Sequence, residues 1–148
     1  MSVAEIEPPK LKPLFGQITL EDMQANELLT KTVMPLVKQV CDHSRGRFNV
    51  LSVAEGLRSG AYQLWGVMTL PAALEAVVVT HVNGKVFDLL LVGPDIEDVL
   101  AFMPALTGLA RQARCERMRV QGPHFWRRRL PEGWKMGAVV YEKALEPR

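Results

Sequence analysis

The spacing of apolar positions changes twice along this chain. From Thr19 to Gly60 apolar residues recur at helical intervals. Thr19, Leu20, Glu21 and Asp22 have the form of a capping box, and Met23, Leu28 and Leu29 follow it. Val33, Leu36, Val37 and Val40 continue the stripe, but Pro35 interrupts it, so the pattern predicts a break near Thr32 and a second helix to Cys41. Asn49 can cap a third helix through Leu57, with Gly60 as its stop. From Ala61 the pattern is of β type, with runs at Tyr62 to Thr69, Ala73 to Val82 and Lys85 to Val92. Asn83 and Gly84 between the last two are the residues of a two-residue hairpin turn. The helical interval then returns. Pro94 sits at a first-turn position before Asp95, Glu97 and Asp98, and Ile96, Val99, Leu100, Met103, Leu106, Leu109 and Ala110 share one face of a long helix that Pro104 should bend. Glu116 to Gln121 reads as a strand, Pro123 to Leu130 as a short helix and Trp134 to Leu145 as a final strand. Residues 1–18, with Pro8, Pro9 and Pro13, have no period and read as an extended arm before a single domain over 19–148.

Helices, three antiparallel strands, then helix, strand, helix, strand predict an α+β fold. Its sheet should be mixed, mostly antiparallel, with helices on both faces. Composition agrees: 148 residues, 48% hydrophobic and 23% charged, suit one globular domain with one core. No stretch approaches the apolar length of a membrane span, and the start has no secretory pattern, so the chain is expected in the cytoplasm. The net charge of +2 hides an asymmetry. Residues 1–110 carry −4 and residues 111–148 carry +6, which makes the C-terminal quarter a candidate surface for acidic partners, protein or nucleic acid.

Candidate chemistry is sparse. Cys41 and Cys115 lie far apart and read as reduced thiols. His43, His81 and His124 share no metal-ligand spacing, and no phosphate loop, dinucleotide fingerprint or nucleophile elbow occurs, so no metal and no cofactor is expected. Glu75 and Asp88 interrupt apolar strands, where a desolvated carboxylate could act as a base; strand alternation, which turns Glu75 to solvent, is the simpler account. Phe125, Trp126, Arg127, Arg128 and Arg129 combine aromatic and basic groups, as a nucleic-acid site does, but a short amphipathic helix with a buried aromatic anchor and a basic docking face fits better.

The chain resembles the GCN5-related N-acetyltransferase superfamily, and within that fold a group of small proteins from phage morphogenesis regions. The resemblance rests on the element order and, over about the last hundred residues, on Leu109, Ala110, Arg111, Cys115, Met118, Arg119, Val120, Gly122, Trp126, Arg128, Leu130, Gly133, Trp134 and the closing run Val140 to Leu145. The family implies a glycine-rich turn between the fourth strand and the long helix, whose N–H groups cradle the CoA pyrophosphate. Here that turn reads Gly93, Pro94, Asp95, Ile96, Glu97, Asp98, with one glycine, no basic residue and a proline without an N–H. The family also implies a tyrosine as general acid four residues before a glycine–aromatic pair. With Gly133 and Trp134 as that pair, Arg129 occupies the position and cannot serve.

These two departures favour a non-catalytic acetyltransferase-like protein with no catalytic residues and no cofactor-binding residues, Gly93, Pro94 and Asp95 being a degenerate loop. It would act in phage particle assembly, as a head or tail component or a morphogenesis accessory. Its expected partners are other phage structural proteins or further copies in a ring, met in the host cytoplasm or in the virion. Pro8, Pro9, Trp126, Arg127, Arg128 and Arg129 are its interface candidates. The alternatives are an N-acetyltransferase using acetyl-CoA and a nucleic-acid-binding accessory protein.

Overall fold

A computed structural model describes residues 14–44, 46–69, 73–94 and 96–120. Leu14–Ile18, within the stretch read as an extended arm, forms β1. Helices α1 (Leu20–Ala25), α2 (Glu27–His43) and α3 (Val50–Ser59) follow, then strands β2 (Tyr62–Thr69), β3 (Ala73–Asn83) and β4 (Val86–Pro94). Helices α4 (Ile96–Leu100) and α5 (Met103–Gln112) lead to β5 (Arg117–Val120). The five strands lie in sequence order, antiparallel from β1 to β4, with β4 and β5 parallel. This is the mixed, mostly antiparallel α+β sheet that the pattern predicts.

Local chemistry sets the helix ends. The Thr19 hydroxyl accepts from Asp22 N–H, while the Asp22 carboxylate accepts from Thr19 N–H. Asn49 and Ser52 make the same reciprocal pair at α3, which ends on Gly60 at φ +82. The helix break expected near Thr32 lies instead at Asn26, which caps α2 through Leu29 N–H, and α2 runs unbroken through Pro35. Proline inside a helix costs about 3 kcal/mol. Burial of Val33, Val37 and Val40 on both sides of it offsets that cost.

The long helix expected from Pro94 also differs. Pro94 ends β4 opposite Ala76, and the helical stretch is broken at Ala101 and Phe102. Pro104 therefore stands in the first turn of α5, where no N–H is needed, instead of bending a continuous helix.

Each face of the sheet has its own core. On one, Ile18, Leu64, Val77, Val79 and Leu91 pack against Val33, Val37, Val40 and Val53 of α2 and α3. On the other, Val67, Ala76, Val78, Phe87 and Leu89 meet Val99, Met103, Leu106 and Ala110 of α4 and α5. Central strand β3 is buried from Ala76 to Thr80, since both its faces are covered.

Leu89 and Leu91 are two residues apart yet belong to opposite cores. The register explains this: Val79 faces Leu91 while Thr80 faces Leu89, so Leu90 is an extra residue, a β-bulge that exchanges the faces of β4. A second shift pairs Val67 with Ala76 but Met68 with Leu74, leaving Glu75 outside the ladder and exposed, on the solvent side as expected.

Candidate active site

The bulge at Leu90 coincides with a junction in the sheet. Strands β4 and β5 are the parallel pair, joined through α4 and α5, and their described register runs from Val86 opposite Arg117 to Leu89 opposite Val120. Leu90, the next residue, is outside the ladder with β3, and β4 continues to Pro94. A bulged residue has main-chain groups that the ladder does not use. The carboxyl ends of parallel strands are also where open α/β sheets place their ligands.

One turn before the bulge, a row of ionisable side chains crosses the sheet. Tyr62 is opposite His81, His81 opposite Asp88, and Asp88 opposite Arg119. The Tyr62 and His81 rings meet edge to face at 5.6 Å, and Tyr62 packs against the core beneath α2 and α3. The Asp88 side chain is 3% exposed and is gripped by two prongs of the Arg119 guanidinium, which is half exposed. These bonds to the Asp88 carboxylate raise the Arg119 pKa above its ordinary value, against the smaller opposing effect of burial. Asp88 thus stands apart from Glu75: Glu75 is exposed in a bulge outside the ladder, whereas Asp88 is buried and paired.

On the opposite face a polar chain supports the bulge. Trp65 Nε1 donates to Thr80 Oγ1 at 2.9 Å, Thr80 Oγ1 donates to Gln63 Oε1 at 3.3 Å, and Gln63 Nε2 donates to the Gly60 carbonyl at 3.1 Å. Thr80 is fully buried, so this chain satisfies its hydroxyl. Trp65 also stacks on Phe15, and Phe15 on Phe102, at centroid distances of 5.7 and 5.3 Å.

Among the described residues, no group of three or more His, Cys, Asp or Glu could hold a metal ion. Pro8, Pro9, Trp126, Arg127, Arg128 and Arg129 lie outside the described residues. Of the loop Gly93, Pro94, Asp95, the glycine is at φ +147, a backbone region closed to other residue types, and Pro94 is exposed at the end of β4. The row from Tyr62 to Arg119 escaped sequence reasoning as a group. Its members come from four strands, and only register brings them side by side.

No family model and no curated protein matches the chain. Solved structures do match. The chain is similar to an aminoglycoside N-acetyltransferase, AAC(6')-Iy, in complex with CoA, with a TM-score of 0.63 and 11% identity over 93% of this chain and 99% of that one. It is also similar to an aminoglycoside acetyltransferase from an uncultured soil metagenomic sample, in complex with trehalose (TM-score 0.60, 11% identity, 89% and 96% covered). A third is the ribosomal-protein-alanine N-acetyltransferase of Brucella melitensis biovar Abortus 2308 (0.59, 10%, 88% and 100%). The chain therefore has the acetyltransferase-like fold that its sequence resembles.

These likenesses overturn the expectation of a non-catalytic phage structural or morphogenesis protein. These three solved structures, which share the architecture over about nine-tenths of the chain, are named as acetyltransferases and none as a virion component. The earlier expectation gave the divergent β4–α4 turn too much weight. Beside that turn the parallel junction and the bulge are both present.

Proposed function

We propose that the chain is an N-acetyltransferase that moves an acetyl group from a thioester donor to an amine. The observation that supports this most is the bulge at Leu90 beside the parallel β4–β5 junction, in a fold shared with acetyltransferases. The amine nitrogen attacks the thioester carbonyl carbon, the C–N bond forms, the C–S bond breaks, and the amine's proton leaves as the thiol departs. The main-chain N–H of Leu90, the residue without a β3 partner, is the candidate donor to the carbonyl oxygen as it gains negative charge. His81, on the face of α2 and α3 and next to Tyr62, is the candidate acceptor of the amine's proton. Asp88 and Arg119 hold β4 and β5 together immediately before the bulge.

The family's usual donor, acetyl-CoA, fits this chain unequally. An extended arm with amide groups suits the bulged strand, as added strands suit a sheet edge. The diphosphate does not fit the turn after β4. Pro94 has no N–H, α4 is a five-residue helix, and the sequence puts Asp95, Glu97 and Asp98 there.

The test is thiol release from acetyl thioesters in the presence of an amine panel: an aminoglycoside, a peptide with a free N-terminus and a polyamine. Acetylated product is identified by mass. Transfer above the uncatalysed rate, lowered at least about tenfold in His81→Ala, is expected. No transfer to any of the amines defeats the proposal.

A further inference from the structure

We infer that Tyr62 is a positioning residue for His81: its ring, seated against the backbone of α3 at Gly56, holds the imidazole in the orientation in which it takes the amine's proton. The inference rests on the acetyltransferase reading and deepens it.

Three observations lead to it. The first is reach. His81 is opposite Asp88, and Asp88 is two residues before Leu90, about 7 Å along the strand. A base works only when its nitrogen comes within hydrogen-bond distance of the proton, and the ring torsion of histidine is broad, so a neighbour has to set it. The second is the contact. On β4 the Asp88 carboxylate turns both oxygens to Arg119, whereas the imidazole has the Tyr62 ring against it, edge to face at 5.6 Å with the planes at 73°. That is a preferred arrangement of two aromatic rings, so it favours one tilt of the imidazole over the others. The third is that Tyr62 is itself held. A Cβ at Gly56 would overlap the ring at Cδ2 and Cγ, so α3 lies directly on it, and Phe48 meets it edge to face at 6.5 Å. Helix α3 is fixed in turn by the reciprocal Asn49 and Ser52 cap at one end and by Gly60 at the other.

Gly56, Tyr62 and His81 thus form a line from helix to base. The role needs the tyrosine's ring and not its hydroxyl. In the step already written the amine's proton goes to His81 as the C–N bond forms and the C–S bond breaks, and the phenol exchanges no proton.

The experiment uses the full-length protein and an amine acetylated in the thiol-release assay. Tyr62→Phe keeps the ring and should retain kcat within about threefold. Tyr62→Leu removes it and should lower kcat at least about tenfold, while the KM for the thioester stays within about twofold. In a His81→Ala background Tyr62→Leu should have no further effect on kcat, because a residue that acts through the base has nothing left to position. A loss in Tyr62→Phe equal to that in Tyr62→Leu, or full additivity of Tyr62→Leu with His81→Ala, overturns the inference while leaving the acetyltransferase reading intact. Absence of transfer by the wild-type protein defeats both together. Should Tyr62→Leu fail to fold, Tyr62→Met is read in the same way. Proton NMR gives a readout besides activity. At about pH 9, where imidazole is neutral, the ring protons of His81, assigned by their loss in His81→Ala, should be displaced from the free-imidazole position by the Tyr62 ring current. The displacement should persist in Tyr62→Phe and vanish in Tyr62→Leu, and a resonance that is the same in all three proteins overturns the inference.

Discussion

The Asp88 carboxylate on β4 and the Arg119 guanidinium on β5 form a two-pronged ion pair across the parallel strands, with Nε–Oδ1 at 2.5 Å and Nη2–Oδ2 at 2.9 Å. One partner is buried and the other half exposed, so losing either has a different cost. Arg119→Ala leaves a buried carboxylate without a partner. That error costs 3–5 kcal/mol in full burial, and water reaching the Arg119 side reduces it to about 2 kcal/mol. For a chain of this length the melting temperature should fall by about 6 °C. Asp88→Asn combined with Arg119→Ala should recover part of the loss, because the amide buries no charge. Equal melting of wild type and Arg119→Ala would show that the pair contributes nothing.

The two thiols should differ in reactivity. Cys41 is 3% exposed, and burial, with a smaller contribution from the negative charge of Asp42, raises its pKa above the usual thiol value. Cys115 is only partly buried. Alkylation of the native protein at mildly alkaline pH should label Cys115 and leave Cys41 until the chain unfolds. The sign for stability follows. The native state binds the Cys41 proton more tightly than the unfolded chain, so this contribution is complete below the unfolded thiol's pKa and is lost as pH rises through the native value. Cys41→Ala should flatten the alkaline limb of the stability curve, whatever it costs in packing. An unchanged limb would mean that another group causes it.

What the sequence made legible was local. The Thr19 and Asn49 caps and the Gly60 stop depend on residues within a few positions of one another and were found as read, whereas the hairpin turn lies one residue later than expected, at Gly84 and Lys85, with Asn83 still in β3 and paired with Val86. Pro94 was misread because proline suits a helix's first turn and the last residue of a strand equally well; pairing with Ala76 decides between them. The break at Asn26 was missed because Pro35 is the stronger local signal, and only burial of Val33, Val37 and Val40 overrides it. The candidate site was the least legible part. Asp88 and Arg119 are 31 residues apart, and the bulge that places Leu90 between two cores follows from register alone.

Thr80 tests the polar chain behind the bulge. It accepts from the Trp65 indole and is fully buried, so Thr80→Val keeps the volume and removes the acceptor. Destabilisation of about 1–2 kcal/mol is expected, the cost of an indole N–H left without a partner. Chemical denaturation measures it through the midpoint at unchanged slope. If Thr80→Ser, which keeps the hydroxyl, destabilised as much as Thr80→Val, packing of the methyl group and not the hydrogen bond would account for the loss.

Two glycines separate a rigid close approach from a yielding one. A Cβ at Gly56 in α3 would overlap the Tyr62 ring at Cδ2, Cγ and Cε2. A Cβ at Gly66 in β2 would meet Ile18 Cδ1 at 2.7 Å and Leu74 Cδ1 at 2.8 Å. The second obstacle is the ends of two aliphatic side chains, which can turn aside. The first includes Cγ, which cannot move without the whole ring, and the ring is held by edge contacts to Phe48 and His81. Alanine gains about 1 kcal/mol of helix propensity at Gly56, but overpacking costs 1–3 kcal/mol, so α3 should be pushed off the sheet at a net loss of about 2 kcal/mol. Gly66→Ala should cost about 1 kcal/mol or less. Because Tyr62 begins the row that reaches Asp88, Gly56→Ala should also lower any transferase activity more than Gly66→Ala does. Thermal denaturation and thiol-release assays of the two variants side by side give both comparisons, and a Gly66→Ala protein that is the weaker of the two in both would refute the assignment of Tyr62 as the fixed wall.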